Sequence, residues 1–166
     1  LLTLARADAG RLAPERAPFD RADTIALVRE QYAPAAAAAG ITLRSETTSA
    51  PLVADEDLLV QLLVNLLENA LAHTPAGGAI TLGCRPRDEE VDLWVADSGE
   101  GIAPVHQERV FDRFYRVDAG RARQRGGAGL GLAICKAIVA AHGGAISLVS
   151  DPGSGTRIDI SLAAGR

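Results

Sequence analysis

The chain has 166 residues, 48% of them hydrophobic with a mean hydropathy of +0.11, which suits one domain around a single core. The 17 Lys and Arg against 21 Asp and Glu give a net charge of -4 and an isoelectric point near 5.4, which excludes a general attraction to nucleic acid, and aromatics at 4% leave little for base stacking. No apolar run reaches the roughly 18 residues that a membrane span needs and no signal peptide is visible, while the lack of any methionine leads us to expect a piece excised from a longer protein.

The opening LLTLARADAGRL reads as the end of a helix, with Leu1, Leu4, Ala5 and Leu12 as an apolar stripe and Gly10 and Pro14 stopping it. A helix is expected over about 21–39, with Pro34 an irregularity inside it and Gly40 ending it. Strands follow near 41–46 and 52–54. The next helix covers about 56–72, with Asp55, Glu56 and Asp57 at its positive N-terminal end and Thr74, Pro75, Gly77 and Gly78 closing it. Two strands, about 79–85 and 90–97, lead to a short helix at about 104–109, an irregular arginine-rich segment and a helix at about 130–142. Strands near 145–150 and 156–162 form a hairpin around a glycine turn. This irregular alternation predicts a mixed sheet covered by helices on one face, an α/β (α+β) two-layer sandwich.

Four motifs then stand out in order: NLLENALAHTP at 65–75, DSGEGI at 97–102, GGAGLGL at 126–132 and GSGT at 153–156. A single glycine stretch marks only a turn. A dinucleotide fingerprint fails, because Gly127 and Gly129 are followed at the third position by Leu132, and no GxxxxGK[ST] occurs. Together the four resemble the N, G1, G2 and G3 boxes of the ATP-binding domain of sensor histidine kinases, in the superfamily that also holds gyrase and MutL. FDRFYR at 111–116 resembles the F box of the same kinases.

The resemblance runs from Phe19 to Leu162. It implies a Bergerat-type fold that binds ATP with Mg²⁺ and donates the γ-phosphoryl group to a histidine on a dimerisation domain, with a response regulator downstream. Residues 1–14 would be the tail of the dimerisation and acceptor helix, or a plain N-terminal helix, and 15–166 the ATP-binding catalytic domain, with a lid at about 111–128. Nothing resembles the box that carries the phosphorylated histidine, and His73, His106 and His142 fall inside ATP-domain elements. The chain is therefore expected not to phosphorylate itself, to be monomeric although the full protein dimerises, and to be the cytoplasmic part of an inner-membrane sensor. An ATPase of the gyrase and MutL branch, or a noncatalytic nucleotide-sensing module, is the alternative.

Asn65 and Asn69 are four residues apart and project from one side of their helix, on the border of the stripe Leu59, Leu62, Leu63, Leu66 and Ala70. A carboxamide oxygen there can meet a hard cation, and the resemblance gives both a place at Mg²⁺; ordinary exposed asparagines are the alternative. The related ATPases carry a glutamate where this chain has Asn65, which cannot accept a proton as a general base. Glu68, the only nearby carboxylate, reads as solvated.

Asp97 ends a strand in which Val91, Leu93 and Val95 share its face, so it is expected at a pocket floor, where the resemblance makes it the reader of the adenine amine. Trp94 points the other way and reads as packed or interfacial. Gly99, Gly101 and Ile102 would pass close to the base. Arg113, Arg116, Arg121, Arg123 and Arg125 suit a lid that meets phosphates, Arg116 matching the family arginine. Gly127, Gly129, Leu130, Gly131 and Leu132 lead into a helix N-terminus that can hold an anion. His73 would bond a phosphate or cap the pocket wall, beside Ala72 where many relatives have Lys or Arg, and Thr156 completes the G3 turn with Gly153 and Gly155. Cys84 and Cys135 show no metal spacing and read as buried thiols, with a disulfide as the alternative.

Overall fold

The computed structural model describes residues 2–117 and 129–165. In chain order the elements are α1 (Leu2–Asp8), β1 (Ala17–Asp20), α2 (Arg21–Ala38), β2 (Thr42–Glu46), β3 (Pro51–Ala54), α3 (Glu56–His73), β4 (Ala79–Arg87), β5 (Glu90–Asp97), α4 (Pro104–Gln107), α5 (Gly131–Ala141), β6 (Ala145–Asp151) and β7 (Gly155–Ala163).

The helix ends follow local chemistry. Asp20 caps α2 by accepting from the Ala22 N–H, and the helix runs through Pro34 without a break. It stops at Gly40, whose φ of +71° turns the chain so that the Gly40 and Ile41 N–H groups satisfy the Ala37 and Ala36 carbonyls. Asp55 caps α3 by accepting from the Leu58 N–H at 3.1 Å. From there Leu59, Leu62, Leu63, Leu66, Leu67 and Ala70 form a buried stripe at helical spacing.

The main sheet has the order β2-β4-β5-β7-β6, with β2 parallel to β4 and the remaining pairs antiparallel. Its inner face, with Ile80, Leu82, Val91, Leu93, Val95, Ile158, Ile160 and Leu162, shares one core with α2, α3 and α5. This is the expected mixed sheet under a single helical layer. Strand β1, absent from the sequence reading, pairs antiparallel with β3 as a separate ribbon.

Other departures are local. Helix α4 ends at Gln107, earlier than expected, and turns follow it. Helix α1 ends at Asp8 and buries Leu4 alone, with Ala5 exposed and Leu12 beyond the helix; Leu1 lies outside the described residues. Of the expected stripe only Leu4 reaches the core, where α1 meets α5. No helix among the described residues is long and apolar enough to cross a membrane.

The other face of the sheet carries Trp94, which is 6% exposed. It lies over Gly83, its register partner on β4, and the guanidinium carbons of Arg85 and Arg157 stand 5.6 and 4.7 Å from its ring centroid. A Cβ on Gly83 would run into that ring. Gly83→Ala, which in an open strand would be neutral or stabilising, should cost about 1–3 kcal/mol by forcing the ring away. Urea unfolding followed by the fluorescence of the single tryptophan should show the loss of stability and a red-shifted native spectrum.

Candidate functional site

The inner end of β5 delivers Asp97 half-buried beneath the loop that follows it. Asp97 Oδ1 accepts from the Gly99 N–H at 2.9 Å and from the Thr156 N–H at 3.3 Å. Among the described residues no donor reaches Oδ2. Burial pushes the carboxyl above the usual carboxylate range, against the pull of those two N–H groups.

The loop after Asp97 is held from two sides. His73, the last residue of α3, receives the Glu100 N–H on its carbonyl at 3.3 Å, and its Nδ1 stands 3.0 Å from Glu100 Oε1. The turn between β6 and β7 holds the other side: the Gly153 N–H donates to the Glu100 carbonyl at 2.8 Å, and the Ile102 N–H to Ser150 Oγ at 2.8 Å. Ser150 Oγ also reaches Thr156 Oγ1 at 2.8 Å and the Gly155 carbonyl at 2.9 Å. Gln107 donates from Nε2 to the carbonyls of Ile102 and Ser150, both at 2.9 Å.

These contacts explain the glycines. A side chain at Gly99 would meet the His73 carbonyl, at Gly101 the Asp151 carbonyl, and at Gly155 the Asp97 carbonyl; Gly101 and Gly155 also have φ of +73° and +99°. The crowding that the sequence reading assigned to an adenine comes from the protein's own backbone. The His73 ring is directed to the Glu100 carboxylate. Ser150 and Gln107 were not found from sequence because the bonds that join the loop to β6, from the Ile102 N–H to Ser150 and from Gln107 to the Ser150 carbonyl, span 48 and 43 residues.

Asn65 and Asn69 sit half-buried on α3. Asn65 Nδ2 is buried and lacks a hydrogen-bond partner among the described residues. Leaving such a group unsatisfied costs about 1–3 kcal/mol, so the position suits a ligand that completes it. No group of three or more His, Cys, Asp and Glu arranged for a metal occurs among the described residues. A hard cation here would therefore rest on carboxamide oxygens and on oxygens the ligand brings. Glu68 is exposed as expected, yet its Oε1 accepts from Tyr32 Oη at 2.6 Å, and burial together with that carboxylate pushes the Tyr32 hydroxyl up to about 12.

On the other side of α3, the first turn of α5 starts at Gly131 with Leu130 as its cap residue and no side chain bonded there. Leu130 and Leu132 pack against the core, leaving the backbone of that turn as its polar surface. Gly129, at φ +72°, accepts on its carbonyl from the Phe114 N–H at 3.0 Å, so the two stems of the intervening segment are joined. Gly127, with Arg121, Arg123, Arg125 and Gly126, lies outside the described residues. Arg116, the last residue of the FDRFYR stretch, is half-buried. The Arg113 guanidinium grips both carboxylate oxygens of Asp8 on α1. Cys84 and Cys135 are both buried and free, and burial pushes the Cys135 thiol up to about 12.

The candidate residues are thus a carboxylate with one oxygen that no donor reaches among the described residues, two half-buried carboxamides on α3, and the first turn of α5, which has no side-chain cap bond. Residues 54–166 match the family described as histidine kinase-, DNA gyrase B- and HSP90-like ATPases. The chain belongs to this family. Within these ATPases it is 42% identical over 164 residues to the sensor histidine kinase CusS of Escherichia coli strain K12, covering 99% of this chain and 34% of that protein. It is likewise 42% identical over 153 residues to the sensor-like histidine kinase SenX3 of Mycolicibacterium smegmatis, covering 89% and 40%. The fold matches full-length ShkA in complex with AMPPNP at a TM-score of 0.88 and 33% identity, over 99% of this chain and 35% of that one. It also matches the nucleotide-free catalytic domain of histidine kinase ThkA at 0.80 and 25%, over 90% and 96%. The chain is thus similar to the catalytic part of sensor histidine kinases and spans about a third of the length of the CusS relative.

The raised Asp97 carboxyl has a consequence for stability. Its proton is held more tightly in the folded chain than in the unfolded one, so folding loses stability as pH rises from about 3.8, the ordinary value, through the raised folded value. Asp97→Asn keeps an oxygen for the Gly99 and Thr156 N–H groups and removes the buried charge. Thermal unfolding should find the variant as stable as the parent near pH 3 and more stable at pH 7, and the reverse order would show that burial does not dominate at this carboxyl.

Proposed function

We propose that this domain binds Mg·ATP in the cleft between α3, α5 and the inner end of β5, and donates the γ-phosphoryl group to a histidine on a dimerisation domain of the same protein. The observation that carries the reading is Asp97: both of its backbone donors occupy Oδ1, and Oδ2 is left to accept from an exocyclic amine. Gly99, Gly101 and Ile102 line the base side of the cleft, with Thr156 behind Asp97. His73 closes the wall through Glu100.

The phosphates would extend toward the uncapped turn at Leu130, Gly131 and Leu132, with Gly127, Gly129 and Arg116 contributing from the lid. Bound Mg²⁺ would neutralise the β- and γ-phosphate oxygens. Asn69 and Asn65 would hold the cation through their oxygens and fix the phosphate chain relative to α3. In the transfer the bond between the γ-phosphorus and its bridging oxygen breaks and a bond to the acceptor imidazole nitrogen forms, with ADP as the leaving group. The imidazole proton goes to a base on the acceptor's side, because Asn65 cannot take it. The chain's own contribution is position and charge neutralisation.

Two observations speak against the ATPase alternative. Asn65 occupies the position of the water-activating glutamate, and Glu68 is engaged by Tyr32. Residues 1–14, which include α1, would be the tail of the acceptor helix, held on the domain through Arg113 and Asp8. On this reading the whole protein is a dimeric sensor that passes its phosphoryl group to a response regulator, with this domain on the cytoplasmic side of an inner membrane.

Calorimetry with two variants tests the site. In Asp97→Asn the carboxamide oxygen takes the Oδ1 bonds and the NH₂ faces the adenine amine, donor against donor, so Mg·ATP affinity should fall by roughly ten- to a hundredfold while the fold persists. Asn69→Ala should weaken ATP mainly when Mg²⁺ is present. Unchanged affinity in the first removes Asp97 from the site; equal weakening of the second with and without the metal assigns Asn69 to packing.

A further inference from the structure

His142 is the buried imidazole among the described residues, 8% exposed, and the site above does not use it. It is the C-cap of α5, fixed there by Gly143 at φ +70° and by the Gly144 N–H, which reaches the Val139 carbonyl at 3.0 Å. Its two ring nitrogens have opposite roles. Nε2 lies 3.1 Å from the Asp55 backbone nitrogen, whose N–H can only donate, and Nδ1 lies 2.8 Å from the Ile138 carbonyl, which can only accept. The ring is therefore neutral with its proton on Nδ1. Asp55 is itself the cap of α3, with Oδ1 accepting from Leu58 and Oδ2 from the Glu15 N–H at 2.8 Å. One imidazole thus ties the end of α5 to the start of α3.

Further along the same pair, Cys135 Sγ stands 3.7 Å from the Leu62 carbonyl oxygen. Seven residues separate Asp55 from Leu62, and seven separate Cys135 from His142, so the two helices run antiparallel in constant step. Carried three residues on, that step sets Asn65 level with Leu132. The helix pair is closed at one end by His142 and Asp55. At the other end it opens on the carboxamides of α3 and the uncapped first turn of α5.

We infer that His142 is a positioning residue for the metal–phosphate site. By holding the closed ends of α3 and α5 together it sets the gap between Asn65 and Asn69 on one side and the α5 amides on the other. Both sides must reach one phosphate chain and its cation at once, so a wider gap weakens the part of nucleotide affinity that depends on metal. The inference rests on the Mg·ATP reading proposed above.

The test uses the 166-residue chain. His142→Asn places an N–H near the Ile138 carbonyl but is too short for Asp55, whereas His142→Gln carries an acceptor out to the position of Nε2. By calorimetry, His142→Asn should bind Mg·ATP about tenfold more weakly with little change in metal-free ATP affinity, and His142→Gln should recover most of the loss. By reciprocity, saturating Mg·ATP should slow hydrogen exchange of the Asp55 amide in the parent by a similar factor. Nitrogen-15 spectra of the parent imidazole should show the proton on Nδ1. Parent-like binding by His142→Asn, equal loss in both variants, unaltered Asp55 exchange, or a proton on Nε2 would overturn the inference and leave the nucleotide reading standing. If the variants do not fold, the exchange and nitrogen measurements on the parent decide. A parent chain that does not bind Mg·ATP would overturn both.

Discussion

Helix α3 has to do two things with one surface. Six apolar residues at helical spacing hold it against the inner face of the sheet, and that burial fixes the rotation of the helix about its axis. With rotation fixed, Asn65 and Asn69 are left on the border of the stripe, half-buried, with Asn65 Nδ2 lacking a partner among the described residues. A polar group in that position is costly to the empty domain and becomes favourable only when something with matching polarity arrives. The core and the site are therefore the same helix, and the same side chains that stabilise the fold aim the carboxamides.

The loop after Asp97 is positioned by a different means. It has few apolar anchors of its own, and it is placed instead by backbone hydrogen bonds to the end of α3 and to the turn between β6 and β7, with Ser150 and Gln107 tying Ile102 to the end of β6. Close approach of three stretches of main chain leaves no room for Cβ at Gly99, Gly101 or Gly155. Glycines that look like contacts for a ligand are required first by this internal crossing. On the nucleotide reading proposed above, a carboxylate held by N–H groups on one oxygen, at the base of such a crossing, would accept from an amine and not from a carbonyl on a bound base.

The sheet, α2, α3 and α5 were legible in the sequence from local signatures such as the alternation of Val91, Leu93 and Val95 in β5, the helical spacing of leucines in α3 and Asp55 at the start of α3. The four boxes were legible because their order carries information that no single box does. What was not legible depends on distance along the chain. Strand β1 is a short segment with Pro18 inside it, and it becomes a strand only because residues 51–54 supply its ladder. Arg113 read as one arginine of a charged segment, and its partner Asp8 lies 105 residues away. Glu68 looked solvated, and only the packing of α2 beside α3 brings Tyr32 to it.

The central claim is that this domain supplies the donor half of a phosphoryl transfer and lacks the means to use water as acceptor. Incubation with γ-labelled Mg·ATP, alone and with a separately supplied acceptor-helix dimer, measures both parts at once. The account predicts negligible self-labelling and negligible free phosphate from the lone domain. With the dimer present, acid-labile label should appear on the helix, more slowly than in a tethered protein because the effective concentration of the link is lost. Steady release of free phosphate by the lone domain, with no label on the added helix, would contradict it.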